Sequence, residues 1–210
     1  MGYILAKASS KPLKTNLNIP LALTLSVIPD IDILLERING LASIFPHRGP
    51  LHSFLATLIA FIPIFAVYRK RAVPYFIALV QHALIGDYLT GGKLQLLWPL
   101  SQQQFGIEAS IQSAQNVALE GILFVVSIAV LLVSRDIVKL FQRHYSNLIL
   151  AIPTFTVLLP TFLSYPLNVP ALLILPHMIY MVLFSVVILL ELFRRLKSNR
   201  SHESSAFLNK

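Results

Sequence analysis

The sequence predicts an all-α polytopic membrane protein, a helix bundle with about six transmembrane helices and both termini in the cytoplasm. Of its 210 residues, 56% are hydrophobic and only 12% are charged, whereas about a quarter of the residues in soluble domains are charged. Several apolar runs approach the roughly 20 residues that a helix needs to cross a bilayer. The basic residues form four clusters that six spans would bring to one side, and the positive-inside rule makes that side the cytoplasm.

Six apolar runs are the predicted spans, and with their loops they make one transmembrane domain over residues 1–197. In chain order the spans cover residues 19–35, 51–68, 73–89, 117–133, 148–165 and 169–193. Pro29 weakens the first span and Pro153 and Pro160 interrupt the fifth, because proline breaks or kinks a helix. Residues 198–210 are polar, and we expect them to form a disordered tail.

The formal net charge of +8 has two readings, nucleic-acid binding or membrane topology. The positions of the basic residues favour topology, because they collect before the first span, after the last, and in two loops between spans. The clusters are Lys7, Lys11 and Lys14; Arg69, Lys70 and Arg71; Arg135, Lys139 and Arg143; and Arg194, Arg195, Lys197 and Arg200. We therefore expect membrane lipids, and no nucleic acid, as partners in the cell membrane.

Three separate segments carry histidine and aspartate towards the same membrane face: the end of the first span, the loop into the second, and the outer half of the third. The residues are Asp30 and Asp32, His47 and His52, and His82 and Asp87. Ionisable residues inside spans are costly and usually mark function. Imidazoles combined with carboxylates suit a divalent ion such as zinc or manganese. The sequence therefore predicts a metal site near the non-cytoplasmic face.

The spacing within these pairs tests that hypothesis. A helix turns about 100° per residue, so Asp30 and Asp32 would point to opposed sides of a regular helix. Either Pro29 breaks the helix there or only one of the two aspartates is a ligand. His82 and Asp87 would lie about 140° apart on an ideal helix. The spacing is compatible with a metal site without requiring one.

Four short motifs occur in order along the first half of the chain. They read "PDID" from residue 29, "HRGPLHS" from 47, "HALIGDYLTGG" from 82 and "LLWPLSQQQFGI" from 96. Together they resemble the membrane-bound metal-dependent hydrolases, multi-pass proteins with motifs of the form PD-x-D, HR-x-x-x-HS and H-x-x-x-x-D-x-x-T. The resemblance implies that the six histidines and aspartates contribute to a metal centre, with Arg48, Ser53 and Thr90 around it. Members often carry a histidine near the N-terminus, which this chain lacks.

Each pair also has a structural reading that the sequence leaves open. The histidines of the loop could hydrogen-bond lipid headgroups. The aspartates of the first span could cap a helix or bind Arg48 or Arg37. The histidine and aspartate of the third span could be a packed polar pair. Glu120, near the outer end of the fourth span, could be a general base, a ligand or an interfacial residue. His177 fits best as a hydrogen-bonded core residue.

The predicted activity is metal-dependent hydrolysis of a lipid or another amphipathic phosphoester or ester. A divalent ion acidifies its bound water, Asp87 or Glu120 would accept the proton, and Arg48 would hold an anionic oxygen. A transporter would place its ionisable residues nearer the bilayer midplane. A structural protein with a closed, non-catalytic metal site would carry the same residues. The sequence does not predict the oligomeric state.

Overall fold

The computed structural model describes residues 1–90, 92–107, 110–164 and 170–208, with side chains up to Ser198. Regular structure in these residues is helical, apart from one isolated β-bridge between Leu94 and Phe105. The α-helices are α1 Gly2–Ser10, α2 Ile19–Leu25, α3 Asp32–Leu35, α4 Phe54–Tyr68, α5 Val73–Gln81, α6 Ala114–Val133, α7 Asp136–Leu140, α8 Ala151–Pro153, α9 Leu159–Phe162 and α10 Ile174–Leu208. The 3₁₀-helices are Ile28–Ile31, Pro50–His52, Arg69–Ala72, Tyr145–Leu150 and Ala171–Leu173. The π-helices are His82–Asp87 and Thr154–Leu158.

Within the described residues, three helical stretches are long and apolar enough to cross a membrane: Ala114–Val133, Tyr145–Phe162 and Ala171–Ser198. They correspond to the fourth, fifth and sixth predicted spans. The prediction of an all-helical membrane protein is confirmed at this level. Helix α10 continues to Leu208, and the separation of a tail at Ser198 stays a prediction. The predicted link between the fifth and sixth spans, residues 166–168, lies outside the described residues, as do residue 165 of the fifth span and residue 169 of the sixth.

The first three predicted spans are shorter or divided helices. The first consists of α2, the 3₁₀-helix Ile28–Ile31 and α3. Pro29 lies in the first turn of that 3₁₀-helix, and its missing N–H removes the bond that would have continued α2. Helix α4 has 15 residues, and α5 has nine before it widens into the π-helix His82–Asp87. The number of spans therefore stays a prediction.

Helix α1 was not predicted, because its residues carry part of the first basic cluster. It packs against α5 and buries Tyr3 and Ala6. A Cβ at Gly2 would lie 2.7 Å from the carbonyl oxygen of Ala78 and 2.4 Å from the Ser26 hydroxyl. Only glycine lets the two backbones approach this closely, so the glycine at position 2 permits the observed packing of α1 against α5.

The bundle has a separate buried ionic cluster at the end away from the predicted site. Asp136 is fully buried at the start of α7. Its carboxylate accepts hydrogen bonds from Tyr3 Oη at 2.9 Å, Lys7 Nζ at 2.5 Å and Lys139 Nζ at 2.8 Å. Lys7, from the first basic cluster, thus links α1 to α7, whereas Lys139 binds Asp136 within α7. Helix α6 extends about 25 Å from Asn116 to Val133, and Asp136 follows that end, so this cluster is remote from the candidate site.

Candidate metal centre

The local helix types explain how the candidate ligands converge. His82 and Asp87 open and close a π-helix, in which residue i bonds to residue i+5. Residues five positions apart therefore return to nearly the same face, which resolves the 140° separation expected on an α-helix. Asp30 lies in the 3₁₀-helix and Asp32 starts α3. This break lets the two aspartates approach the His52 imidazole from different sides.

Four donor atoms form a ring at the centre of the site. Nε2 of His52 lies 2.9 Å from Oδ2 of Asp87 and 3.3 Å from Oδ1 of Asp30. Nε2 of His82 lies 3.1 Å from the same Asp30 oxygen and 3.4 Å from the same Asp87 oxygen. Two atoms that share a zinc ion at 2.0–2.2 Å with a tetrahedral angle are about 3.3–3.6 Å apart. The ring therefore has close to the dimensions that one divalent ion requires.

The tautomer of His82 fits a metal ligand. Its Nδ1 lies 2.8 Å from the carbonyl oxygen of Ser26, and a carbonyl can only accept, so Nδ1 carries a proton. In the neutral imidazole this leaves a lone pair on Nε2, directed at the centre of the ring. Among the described residues, Nε2 of His82 and Oδ2 of Asp87 are buried and make no hydrogen bond of acceptable geometry, despite the short distances within the ring. Unpaired buried acceptors of this kind are what a cation would satisfy.

A second group surrounds Asp32, which is fully buried. Its Oδ1 lies 2.8 Å from Nδ1 of His47, and its Oδ2 accepts the backbone N–H of Arg48 at 3.2 Å. Oδ2 also lies 3.1 Å from Nδ1 of His52. Donor atoms of Asp30, Asp32, His47 and His52 lie within 4.8 Å of one another, as do those of Asp30, His52, His82 and Asp87. The structure thus brings all six predicted residues together in two overlapping groups, and their role as ligands stays a prediction.

Arg48 is built into the wall of the site. Its backbone has φ 64°, an uncommon conformation for a residue with a side chain. Nη1 donates to the carbonyl oxygens of Thr90 at 2.9 Å and Gly92 at 3.0 Å, and Nη2 lies 3.5 Å from Oδ1 of Asp87. Nε is buried without a hydrogen-bond partner among the described residues. The Nε–Nη2 edge is therefore the edge of the guanidinium that could bind an anion.

Ser53 and Thr90 differ from the supporting roles that the resemblance implied. The Ser53 hydroxyl accepts the N–H of Ala56 at 3.0 Å and so caps the N-terminus of α4. The Thr90 hydroxyl donates to the carbonyl oxygen of Gly86 at 3.0 Å. Thr90 contributes to the site through its backbone carbonyl, which binds Arg48. The Ser26 carbonyl was missed for a related reason, since residue type does not reveal which backbone oxygen faces a histidine.

Glu120 lies on α6 beside this centre. Its Oε1 accepts a hydrogen bond from Nδ2 of Asn116 at 2.8 Å, and its charge interacts with those of Arg48, Asp30 and Asp87. The three roles considered for Glu120, general base, metal ligand and interfacial residue, stay predictions. His177 hydrogen-bonds the Leu158 carbonyl oxygen through Nε2 at 2.7 Å, as expected of a core histidine.

Comparison with known proteins identifies one family. The profile of the YdjM inner membrane protein family matches residues 1–169, a range that includes all six candidate ligands and Glu120. The resemblance read from the motifs is thereby confirmed as far as a membrane-protein family. Searches of curated proteins and of solved structures gave no match.

Proposed function

The chain belongs to the YdjM inner membrane protein family, and from that premise we propose that it is a membrane-embedded, metal-dependent hydrolase. The observation that carries the proposal is the ring of four donor atoms with edges of 2.9–3.4 Å. Donors this close, two of them without hydrogen-bond partners, are costly to bury unless a cation satisfies them. Hydrolysis is the reaction class that a divalent ion beside a spare carboxylate favours.

We assign the ion to Asp30, His52, His82 and Asp87. Two imidazole nitrogens and two carboxylate oxygens suit zinc or manganese. Asp32 then acts on the far side of His52, where it orients the ring, and it holds His47 in the same way. His47 has 29% of its side chain exposed, so it lies on the open side of the centre. In this arrangement four of the six predicted residues bind the ion, whereas Asp32 orients the histidines and His47 lies at the open side.

A bound divalent ion would supply an acidified water and charge stabilisation. Glu120 is the carboxylate that remains for proton transfer, because Asp87 is committed to the two histidines. Its hydrogen bond to Asn116 holds one oxygen and leaves the other available to accept a proton. Arg48 would orient an anionic oxygen of the substrate through its Nε–Nη2 edge.

The proposed topology places this site near the non-cytoplasmic face. Six spans with both termini in the cytoplasm would put the turn before α4 and the end of the π-helix His82–Asp87 on the outer side. The four basic clusters favour this orientation. A centre at that depth would meet headgroups and ester linkages, so the substrate class that fits is a lipid or another amphipathic phosphoester or ester.

The proposal is tested by metal content and hydrolysis measured on the same purified samples. After purification with zinc or manganese, wild type should retain about one ion per chain and hydrolyse a generic phosphoester or carboxylester. His82→Ala should lose both, whereas His144→Ala, a histidine outside the site, should keep both. Stoichiometric metal without hydrolysis would favour the structural reading, and absence of both would refute the proposal.

A further inference from the structure

A cavity of about 340 Å³ lies between α6, the π-helix Thr154–Leu158 with α9, and the beginning of α10. Its volume is near the lower end of the roughly 300–1,000 Å³ that small-molecule sites occupy. Met1, at the start of α1, also lines it. The ring residues of the metal centre do not line this cavity, but Glu120 does.

One face of α6 forms the first wall. The lining residues on this helix are Glu120, Leu123, Phe124 and Ser127. They follow the spacing i, i+3, i+4 and i+7, which is a single stripe along an α-helix. From Glu120 to Ser127 the stripe extends about 10 Å along the helix axis. The outward neighbours on the same helix are different, since Ile122 and Val125 are 61% and 63% exposed.

The opposite wall repeats this pattern. It is formed by Leu173, Pro176, His177 and Tyr180, again at i, i+3, i+4 and i+7. The rings of Phe124 and Tyr180 meet edge to face with 5.4 Å between centroids. The two stripes therefore enclose a groove between helices, which differs from a helix surface that merely faces lipid.

The groove combines one acidic residue with a mainly apolar lining. At one end, Glu120 interacts electrostatically with Arg48 and with two aspartates of the metal centre. Most of the other lining residues are apolar; Ser127, Thr161 and Tyr180 carry hydroxyls, and the His177 imidazole is hydrogen-bonded to the Leu158 carbonyl oxygen. A ligand that matches both parts has one polar end and one long apolar part.

We propose that this groove binds one acyl chain of a membrane lipid, whose polar ester group then lies at the metal centre. This inference rests on the proposed function for the use of that lipid as a substrate. Three features support it: the Glu120 carboxylate at one end of the α6 stripe, the mainly apolar lining, and a direction parallel to α6. Helix α6 is long enough to span the bilayer, so a groove along it leads from headgroup depth into the hydrocarbon region. The small volume fits a single chain.

Photo-crosslinking tests the proposal without requiring activity. The probe is lysophosphatidylglycerol with a diazirine near the end of its acyl chain, added to the full-length protein in lipid nanodiscs. We expect cross-links on the residues that line the groove, competed by unlabelled lysophosphatidylglycerol: Leu123, Phe124, Ser127, Pro176, His177 and Tyr180. Leu123→Trp should reduce this labelling by about fivefold or more, because an indole fills the groove. Ile122→Trp is the matched control on the outward face and should leave the labelling unchanged.

The outcomes separate this proposal from the proposed function. Labelling in the groove should persist after the metal is removed with a chelator, because the chain-binding residues are not ligands. Groove labelling without metal or hydrolysis would therefore support the binding site while refuting the hydrolase. Wild-type cross-links spread over outward residues such as Val125, or not competed by the unlabelled lipid, would overturn the binding site even if hydrolysis is observed. The wild-type map decides this whether or not a variant folds.

Discussion

Asp32→Asn distinguishes the two overlapping groups of donor atoms. The substitution preserves the shape of the side chain but replaces one oxygen with an amide nitrogen, which cannot accept a hydrogen bond. Asp32 faces His47 at 2.8 Å, the Arg48 N–H at 3.2 Å and His52 at 3.1 Å. At least one of these three neighbours would therefore lose its acceptor. If the ion lies in the ring of Asp30, His52, His82 and Asp87, Asp32 supports a ligand without being one.

The expected loss of metal affinity follows from that role. Removing a partner that orients a metal-binding histidine weakens binding by about 10–100-fold, which is roughly 1.4–2.8 kcal/mol. Asp87→Asn removes a charged donor from the ring itself, and its loss should exceed about 100-fold. The ratio between the metal affinities of Asp32→Asn and Asp87→Asn thus identifies the position of the ion.

The assay is competition between metal-free protein in detergent and a fluorescent zinc chelator. Asp136→Asn provides a matched control, because Asp136 is as fully buried as Asp32 but lies at the other end of α6. Its zinc affinity should equal that of wild type. If Asp32→Asn loses as much affinity as Asp30→Asn while Asp87→Asn binds normally, the ion belongs to the group that contains His47, and the assignment made above is wrong.

Three further outcomes are expected. Gly2→Ala should destabilise the protein by about 1–3 kcal/mol, because the new Cβ would lie 2.7 Å from the Ala78 carbonyl oxygen. Gly121→Ala is the control, because no heavy atom lies within 4 Å of its new Cβ. Thermal unfolding in detergent compares the two variants, and equal melting temperatures would contradict the close packing of α1 on α5. Burial opposes ionisation of Asp136, but hydrogen bonds from Lys139, Lys7 and Tyr3 outweigh this effect and lower its pKa. The stability that the ionised carboxylate contributes is therefore present above the unfolded pKa and is lost as pH falls through the lower folded value. Acid unfolding of Asp136→Asn should depend less on pH than that of wild type. Single cysteines at Ser43 and Gln103 should react with an impermeant reagent from outside, and labelling of Ser198→Cys from that side would invert the topology.

The composition and the apolar runs were sufficient for the fold class and for three helices long enough to span. They were less informative for the first half of the chain, because hydropathy does not show where a run is broken. Pro29 indicated a break, and the structure divides that run into α2, a 3₁₀-helix and α3. Helix α1 could not be recognised, since its packing depends on a close approach at Gly2 that only the partner helix reveals.

The candidate site was more predictable than the fold that carries it. Its residues are of types that are rarely buried without a function, so their positions could be read from three separate segments. What the sequence could not supply was the helix type between His82 and Asp87. An α-helix would have separated these side chains by about 140°, and a π-helix is rare and often occurs at functional sites. Widening the turn there brings both residues to Asp30 and His52. The departure from regular helix thus brings the His82 imidazole and the Asp87 carboxylate to the same centre, which is why spacing rules for α-helices did not predict their convergence.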